Sequence, residues 1–212
     1  MVSKVKVLVG MPTGETYSFP FFQSYLKAVH LAEDQGIVAL QPSCYRNICA
    51  ARNEIANVAV ENDFTHVFFM DSDMGFPELA LSRLLQHDVD VVGGYYNRKT
   101  TGFMPNVFKP EGDSGVWSTR IPEKKLEKVV AIGTGCLLIK VDVFRKIEPP
   151  WFLYAPSPKA KHHLKTEDVV FCERLTEAGI DIYCDGTIRC SHAAVVKIVP
   201  VDNGKVKVEP IL

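Results

Sequence analysis

The chain has 212 residues, 47% of them hydrophobic, with 24 basic and 25 acidic side chains and a formal net charge of -1. That apolar content supplies a core for one domain, and near-cancelling charges exclude a global field of the kind that draws nucleic acid or membrane to a whole surface. The six cysteines, Cys44, Cys49, Cys136, Cys172, Cys184 and Cys190, form no Cys-x-x-Cys pair, which argues for reduced thiols in a cytoplasmic protein over disulfides or a zinc site.

Residues 1–9 alternate charge with apolar side chains and lack the long apolar region of a signal peptide, so residues 5–11 read as a first strand. A helix over 19–35 closed by Gly36 and a short strand over 37–40 follow. Ile48, Ala51, Ile55, Val58 and Ala59 then recur at helical spacing, which places Arg52 and Asn53 on a second helix. Val67-Phe68-Phe69-Met70 reads as a strand buried on both faces, and it stops at Asp71-Ser72-Asp73. Pro77 opens a helix to about His87 with Glu78 in its first turn, and 89–93 is the next strand.

The second half is less regular. Residues 103–108 and 116–119 read as hairpin-like strands, and 129–139 as a strand broken by Gly133-Thr134-Gly135. A short helix over 141–147 stops at Pro149-Pro150, 154–165 reads as a loop, and Thr166 caps a helix that runs to Ala178 and is stopped by Gly179. A strand over 182–184 and a tail of short β segments end the chain. Strands alternating with helices predict a mainly parallel central sheet flanked by helices, with a smaller antiparallel β portion in the second half. No apolar stretch approaches the roughly 18–20 residues of a membrane helix.

An apolar strand that ends in acids carries them to the carboxyl edge of a sheet, where open α/β sheets bind ligands. If the extended backbone persists, Asp71 and Asp73 share a face and reach one cation, while Ser72 points aside. Hard oxygen ligands suit Mg2+ or Mn2+. A polar turn uses the same residues. The aspartyl-phosphate phosphotransferases also follow an apolar strand with Asp-x-Asp, but Met74-Gly75-Phe76 stand where they have a small residue and Thr.

Other residues extend the pattern. His192 completes a set of metal ligands if the tail returns to the Asp73 edge. Pro12 and Thr13 end the first strand beside the acidic one and suit either a nucleotide or a simple strand-to-helix turn, and Arg52 either pairs with Asp71 or reaches a diphosphate. Glu167 and Asp168 lie in the first turn of a capped helix, where the dipole favours acids whatever their role and where a closing loop delivers a base to a hydroxyl. Lys159, Lys161 and Lys165 make the preceding loop basic, which fits either an anionic partner such as nucleic acid or a phosphorylated glycan or lipid, or a solvated mobile loop. Trp117, Tyr95 and Tyr96 serve either stacking or core packing.

Taken together, Ala51-Arg52-Asn53, Phe68-Phe69-Met70-Asp71-Ser72-Asp73, Gly133-Thr134-Gly135, Thr166-Glu167-Asp168-Val169 and Arg174-Leu175-Thr176-Glu177-Ala178-Gly179 resemble the GT-A glycosyltransferases. Among these the chain is most similar to the inverting family 2 enzymes, small phage and prokaryotic members included. The resemblance spans about 5–192. It implies one GT-A, Rossmann-like domain over 1–212, with about 1–97 binding the nucleotide sugar and about 98–212 the acceptor. It implies transfer from a nucleoside diphosphate sugar, UDP-linked first, to an acceptor hydroxyl. Asp73 and His192 would hold Mn2+ or Mg2+, Asp71 would contact the donor ribose or a metal-bound water, and Ser72 lies in the same DXD segment. Thr13 and Arg52 would contact the nucleotide, Gly133-Thr134-Gly135 would line the donor sugar or acceptor, and Asp168 with Glu167 beside it would supply the base.

The chain departs from that pattern at Gln41-Pro42-Ser43, where members commonly place a uracil-reading Asp, and at Glu15, where another residue type is usual. Two readings from other classes stand beside it. One is a sugar-nucleotide nucleotidyltransferase, which lacks its basic Gly-rich phosphate loop here. The other is a catalytically silent module that binds a nucleotide sugar or glycan.

Overall fold

In the computed structural model the described residues are 5–13, 18–34, 39–43, 47–99, 102–111, 117–157, 164–201 and 205–210. In chain order the elements are β1 (Val7–Pro12), α1 (Phe19–Asp34), β2 (Ala39–Ser43), α2 (Ile48–Glu61), β3 (His66–Met70), β4 (Met74–Gly75) and α3 (Ala80–Leu85). There follow β5 (Val91–Tyr95), β6 (Val107–Pro110), β7 (Trp117–Thr119), β8 (Glu127–Val129), β9 (Ala131–Ile132), β10 (Cys136–Lys140), α4 (Val141–Lys146), β11 (Ala155–Pro156) and β12 (Leu164–Lys165). The last are α5 (Glu167–Glu177), β13 (Ile182–Arg189), β14 (Ser191–His192), β15 (Val196–Pro200) and β16 (Val206–Pro210).

Burial on both faces makes β3 the middle of the fold. Val67 and Phe69 join one apolar cluster with Leu8 of β1, Ile55 of α2 and Phe171 of α5. Phe68 and Met70 join the opposite cluster with Val7, Val9 and Leu84 of α3. An alternating strand with an apolar layer on each side must be central, because neither face tolerates water. The seven-stranded sheet runs β2-β1-β3-β10-β5-β13-β8. β1 pairs parallel with β2 and β3, and β5 with β13. β10 is inserted antiparallel between β3 and β5, and β8 closes the edge antiparallel to β13. The sheet is therefore mainly parallel, with helices on both sides and smaller antiparallel pairings in the second half.

Several boundaries differ from the sequence pattern for local reasons. The helix expected from Pro77 begins at Ala80, because Pro77 instead accepts the Ala80 N–H in a turn at 2.9 Å, so Glu78 precedes the helix. The region read as a loop over 154–165 contains the antiparallel pair β11 and β12. Thr166 occupies the N-cap position of α5 without a side-chain cap bond, and the helix ends before Gly179, whose φ of 72° suits a residue without Cβ. Gly36 lies outside the described residues. No helix among the described residues is long and apolar enough to cross a membrane.

Candidate functional site

The acidic segment sits where β3 leaves the sheet. Asp71-Ser72-Asp73 does not continue the strand but forms a turn, in which the Met74 N–H donates to the Asp71 carbonyl at 3.2 Å. The alternation that would have put both carboxylates on one strand face ends at Met70. The two acids consequently meet different partners.

Asp71 faces inward. Arg52 Nη2 donates to Asp71 Oδ2 at 3.1 Å and lies 2.9 Å from Oδ1, while Arg52 Nε donates to Glu167 Oε1 at 3.4 Å. Arg52 rises from α2, is 2% exposed, and sets its guanidinium 5.5 Å from the centre of the Phe69 ring. Burial opposes its charge, but Asp71 and Glu167 outweigh burial and raise its pKa. Burial also pushes the Asp71 and Glu167 carboxyls above their ordinary values, against the pull of Arg52. Of the two partners expected for Arg52, Asp71 is the one it meets, and Glu167 is added.

Asp73 faces the other way. It accepts from Lys99 Nζ, and its Oδ2 lies 3.5 Å from His192 Nε2. Burial disfavours its charge, but hydrogen bonds from His192 and Lys99 prevail and hold its pKa down at about 2. His192 arrives because β13, parallel to β5, exits at the same carboxyl edge and runs into β14, which pairs with β4 so that His192 lies opposite Met74. The Ala193 N–H donates to the Asp73 carbonyl at 2.8 Å. His192 Nδ1 lies 2.9 Å from the Asn97 carbonyl, which can only accept, so Nδ1 carries a proton and Nε2 is directed at Asp73.

The antiparallel insertion of β10 brings in the glycine segment, because its first residue, Cys136, lies opposite Met70 at the end of β3. The Asp71 N–H donates to the Gly135 carbonyl at 3.1 Å. A Cβ at Gly135 would come within 2.8 Å of Asp71 Oδ2 and 3.0 Å of Tyr96 Oη, and one at Gly133 within 1.8 Å of Asn106 Nδ2. The backbone can approach this closely only without side chains. Tyr96 Oη accepts from Asn106 Nδ2 at 2.9 Å and from the Gly135 N–H at 3.2 Å, and its ring meets His192 edge-on at 5.2 Å. Burial, with Asp71 and Asp168 nearby, pushes the phenol well above its ordinary pKa and keeps it neutral.

Asp168 is partly exposed at the start of α5. Its Oδ1 accepts from the Thr166 hydroxyl and from the Val169 N–H at 2.8 Å. Thr13 is 5% exposed just beyond β1, and Pro12 lies opposite Ser43 of β2. The Ser72 carbonyl accepts the Ser18 N–H at 3.0 Å, which ties the start of α1 to the acidic turn. Lys165 Nζ bonds both Glu173 carboxylate oxygens at 2.7 Å, and Lys159, Lys161 and Glu15 lie outside the described residues.

Among the described residues no three His, Cys, Asp or Glu side chains converge on a metal position; Asp71 turns to Arg52, while Asp73 meets His192. Asp73 and His192 alone do fit a divalent cation. A carboxylate oxygen and an imidazole nitrogen directed at each other across 3.5 Å are compatible only with a cation or proton between them. Nearby, Arg52 Nη1 and Thr134 Oγ1 are buried and lack a hydrogen-bond partner among the described residues. Such groups cost stability where nothing pairs with them. Lys99, Asn97 and Asn106 escaped the sequence reading; the basic pair Arg98-Lys99 just past the end of β5 was the available signal.

No family model matches the chain, and no curated protein matches it. Among solved structures it is similar to "A197 from STIV" at 17% identity and TM-score 0.63, over 97% of this chain and 94% of that one. It is also similar to "GalNAc-T7 with UDP, GalNAc and Mn2+" at 8% identity and TM-score 0.56, over 89% of this chain and 43% of that one. The chain has a GT-A-like α/β fold. It spans less than half of GalNAc-T7.

Proposed function

We propose that the chain is a metal-dependent, inverting glycosyltransferase of the family 2 type, active in the cytoplasm, that moves a sugar from a nucleoside diphosphate sugar, UDP-linked first, to an acceptor hydroxyl. The observation that carries this reading is the pairing of β14 with β4, which sets His192 against Asp73 at the carboxyl edge of the sheet. The fold shared with a neighbour solved with UDP and Mn2+ supports the donor class.

Asp73 and His192 would hold Mn2+ or Mg2+, which when bound stabilises the charge that grows on the departing diphosphate. The remaining roles fall to the chain itself. Arg52 orients Asp71 and Glu167 from within, Asp71 is the proposed contact of the donor ribose, and the unpartnered Thr134 Oγ1 is suited to a hydroxyl of the donor sugar. Pro12, Thr13 and Ser72 border the nucleotide, and Gly133-Thr134-Gly135 lets it approach the backbone. Asp168 takes the acceptor proton on Oδ2 as the acceptor oxygen bonds to the anomeric carbon and the carbon–phosphate-oxygen bond breaks. Attack from the face opposite the diphosphate inverts the anomeric centre. The acceptor class we favour is anionic, hydroxymethylated DNA or a phosphorylated glycan or lipid, with Lys159 and Lys161 as its proposed contacts and Lys165 held by Glu173.

The deciding experiment presents UDP-, GDP-, dTDP- and CMP-sugars with Mn2+ to wild type and to Asp73→Ala. Nucleotide release from one donor, lost in Asp73→Ala, supports the reading; silence across the panel with no donor binding overturns it. Asp168→Asn should keep donor binding and lose about 10²- to 10⁴-fold in turnover. Retained anomeric configuration in the product, read by NMR, would remove Asp168 from the role of base.

A further inference from the structure

Lys99 gives the cation position a second occupant. Its ammonium contacts Asp73 Oδ2, the same oxygen that His192 Nε2 faces at 3.5 Å. Lys99 stands in the loop just beyond β5 whose ends are tied by the bridge between Asn97 and Pro105, and Asn97 also supplies the carbonyl that orients His192. A cavity of about 430 Å³ adjoins the contact, lined by Lys99 with Tyr95, Arg98, Arg189, Ser191 and His192. Arg98 Nε is buried without a hydrogen-bond partner among the described residues. The cavity thus gathers three positive side chains, Arg98, Lys99 and Arg189, beside Asp73, an excess suited to an anion.

We propose that Lys99 and a divalent cation are alternative partners of Asp73, and that Lys99, once exchanged for the metal, turns into the cavity beside Arg98 and Arg189 and takes a phosphate of the donor. The ammonium and a divalent ion compete for Asp73 Oδ2, since two cations at one oxygen repel, and phosphate is the charge that compensates the ammonium after it leaves. Lys99 thereby makes metal loading and diphosphate binding mutually dependent. The inference rests on the glycosyltransferase reading above.

The experiment measures Mn2+ binding to the full chain by titration calorimetry and by loss of the free Mn2+ resonance signal, for wild type, Lys99→Met and Asp73→Asn. UDP is then titrated with Mn2+ saturating. Lys99 is partly exposed, so its replacement leaves the core intact. The expected result is opposite movement: Lys99→Met binds Mn2+ about threefold tighter, because the competitor is gone, and UDP about tenfold weaker. A purely structural Lys99 would shift both in one direction or neither. Equal Mn2+ affinity in wild type and Lys99→Met, with binding lost in Asp73→Asn, overturns the exchange and leaves the metal site standing. Weaker UDP binding without tighter Mn2+ binding makes Lys99 a phosphate ligand only and also overturns it. If no variant binds Mn2+, the exchange fails, whereas donor turnover persisting in chelator would keep sugar transfer alive on other terms.

Discussion

Arg52 joins two carboxylates that lie far apart in sequence, and it does so in a place with little water. A buried ion pair broken on one side leaves an uncompensated charge, which costs more than the pair contributes when intact. Arg52→Met should therefore destabilise the fold by about 3–5 kcal/mol in urea titrations at neutral pH, since it strands Asp71 and Glu167 together. Arg52→Lys should recover only part of this, because one ammonium cannot replace the fork that reaches Asp71 through Nη2 and Glu167 through Nε. A loss below about 1 kcal/mol for Arg52→Met would show that the two acids take up protons at little cost instead. At this scale the residue types were legible in the sequence and their partners were not. The helical spacing placed Arg52 on α2, but its burial beneath Asp71 follows from how α2 lies against β3.

At the scale of elements, α3 is tied to β13 by Asp185, which is fully buried. Asp185 Oδ1 accepts the Thr187 N–H at 2.8 Å, and Oδ2 pairs with His87 Nε2 at 2.9 Å. Burial opposes the carboxylate, but Thr187 and His87 prevail and hold its pKa below the ordinary value. A folded pKa lower than the unfolded one contributes stability that is complete above the unfolded value, near 4, and fades as pH falls through the folded value. Asp185→Asn should lose about 1–3 kcal/mol at pH 7 and visibly less at pH 3, read as the difference in urea midpoints. A difference that does not shrink in acid would remove the charge from the explanation. Neither His87 nor Asp185 carried a sequence signal, because a lone His at a helix end and a lone Asp in a strand have many bland uses.

For the molecule as a whole, β15 and β16 stand apart from the central sheet, paired with each other in a two-stranded sheet. In that pairing Val196 lies opposite Pro210, Ile198 opposite Val208 and Pro200 opposite Val206. Ile198 is 64% exposed, which indicates that this hairpin adds little burial to the described fold. Removing residues 196–212 should move the thermal midpoint by less than about 4 °C, as followed by scanning fluorimetry; a larger fall would make the hairpin part of the cooperative unit.

Patterns of short range were set by the sequence itself. The double-sided burial of β3, the stop at Asp71, the helical face of α2 and the arrest of α5 before Gly179 all depend on spacing between near neighbours, which an isolated segment already contains. Even there, the turn at Asp71-Ser72-Asp73 replaced an extended continuation, because the Met74 N–H closes back on Asp71. Only the tertiary structure decided that β10 would enter antiparallel and lay Gly135 against Asp71, that β14 would bring His192 to Asp73, and that Lys99 would meet the same carboxylate. These contacts depend on strand direction and pairing across the whole sheet, choices that the burial of both its faces makes cooperatively and that no local periodicity encodes.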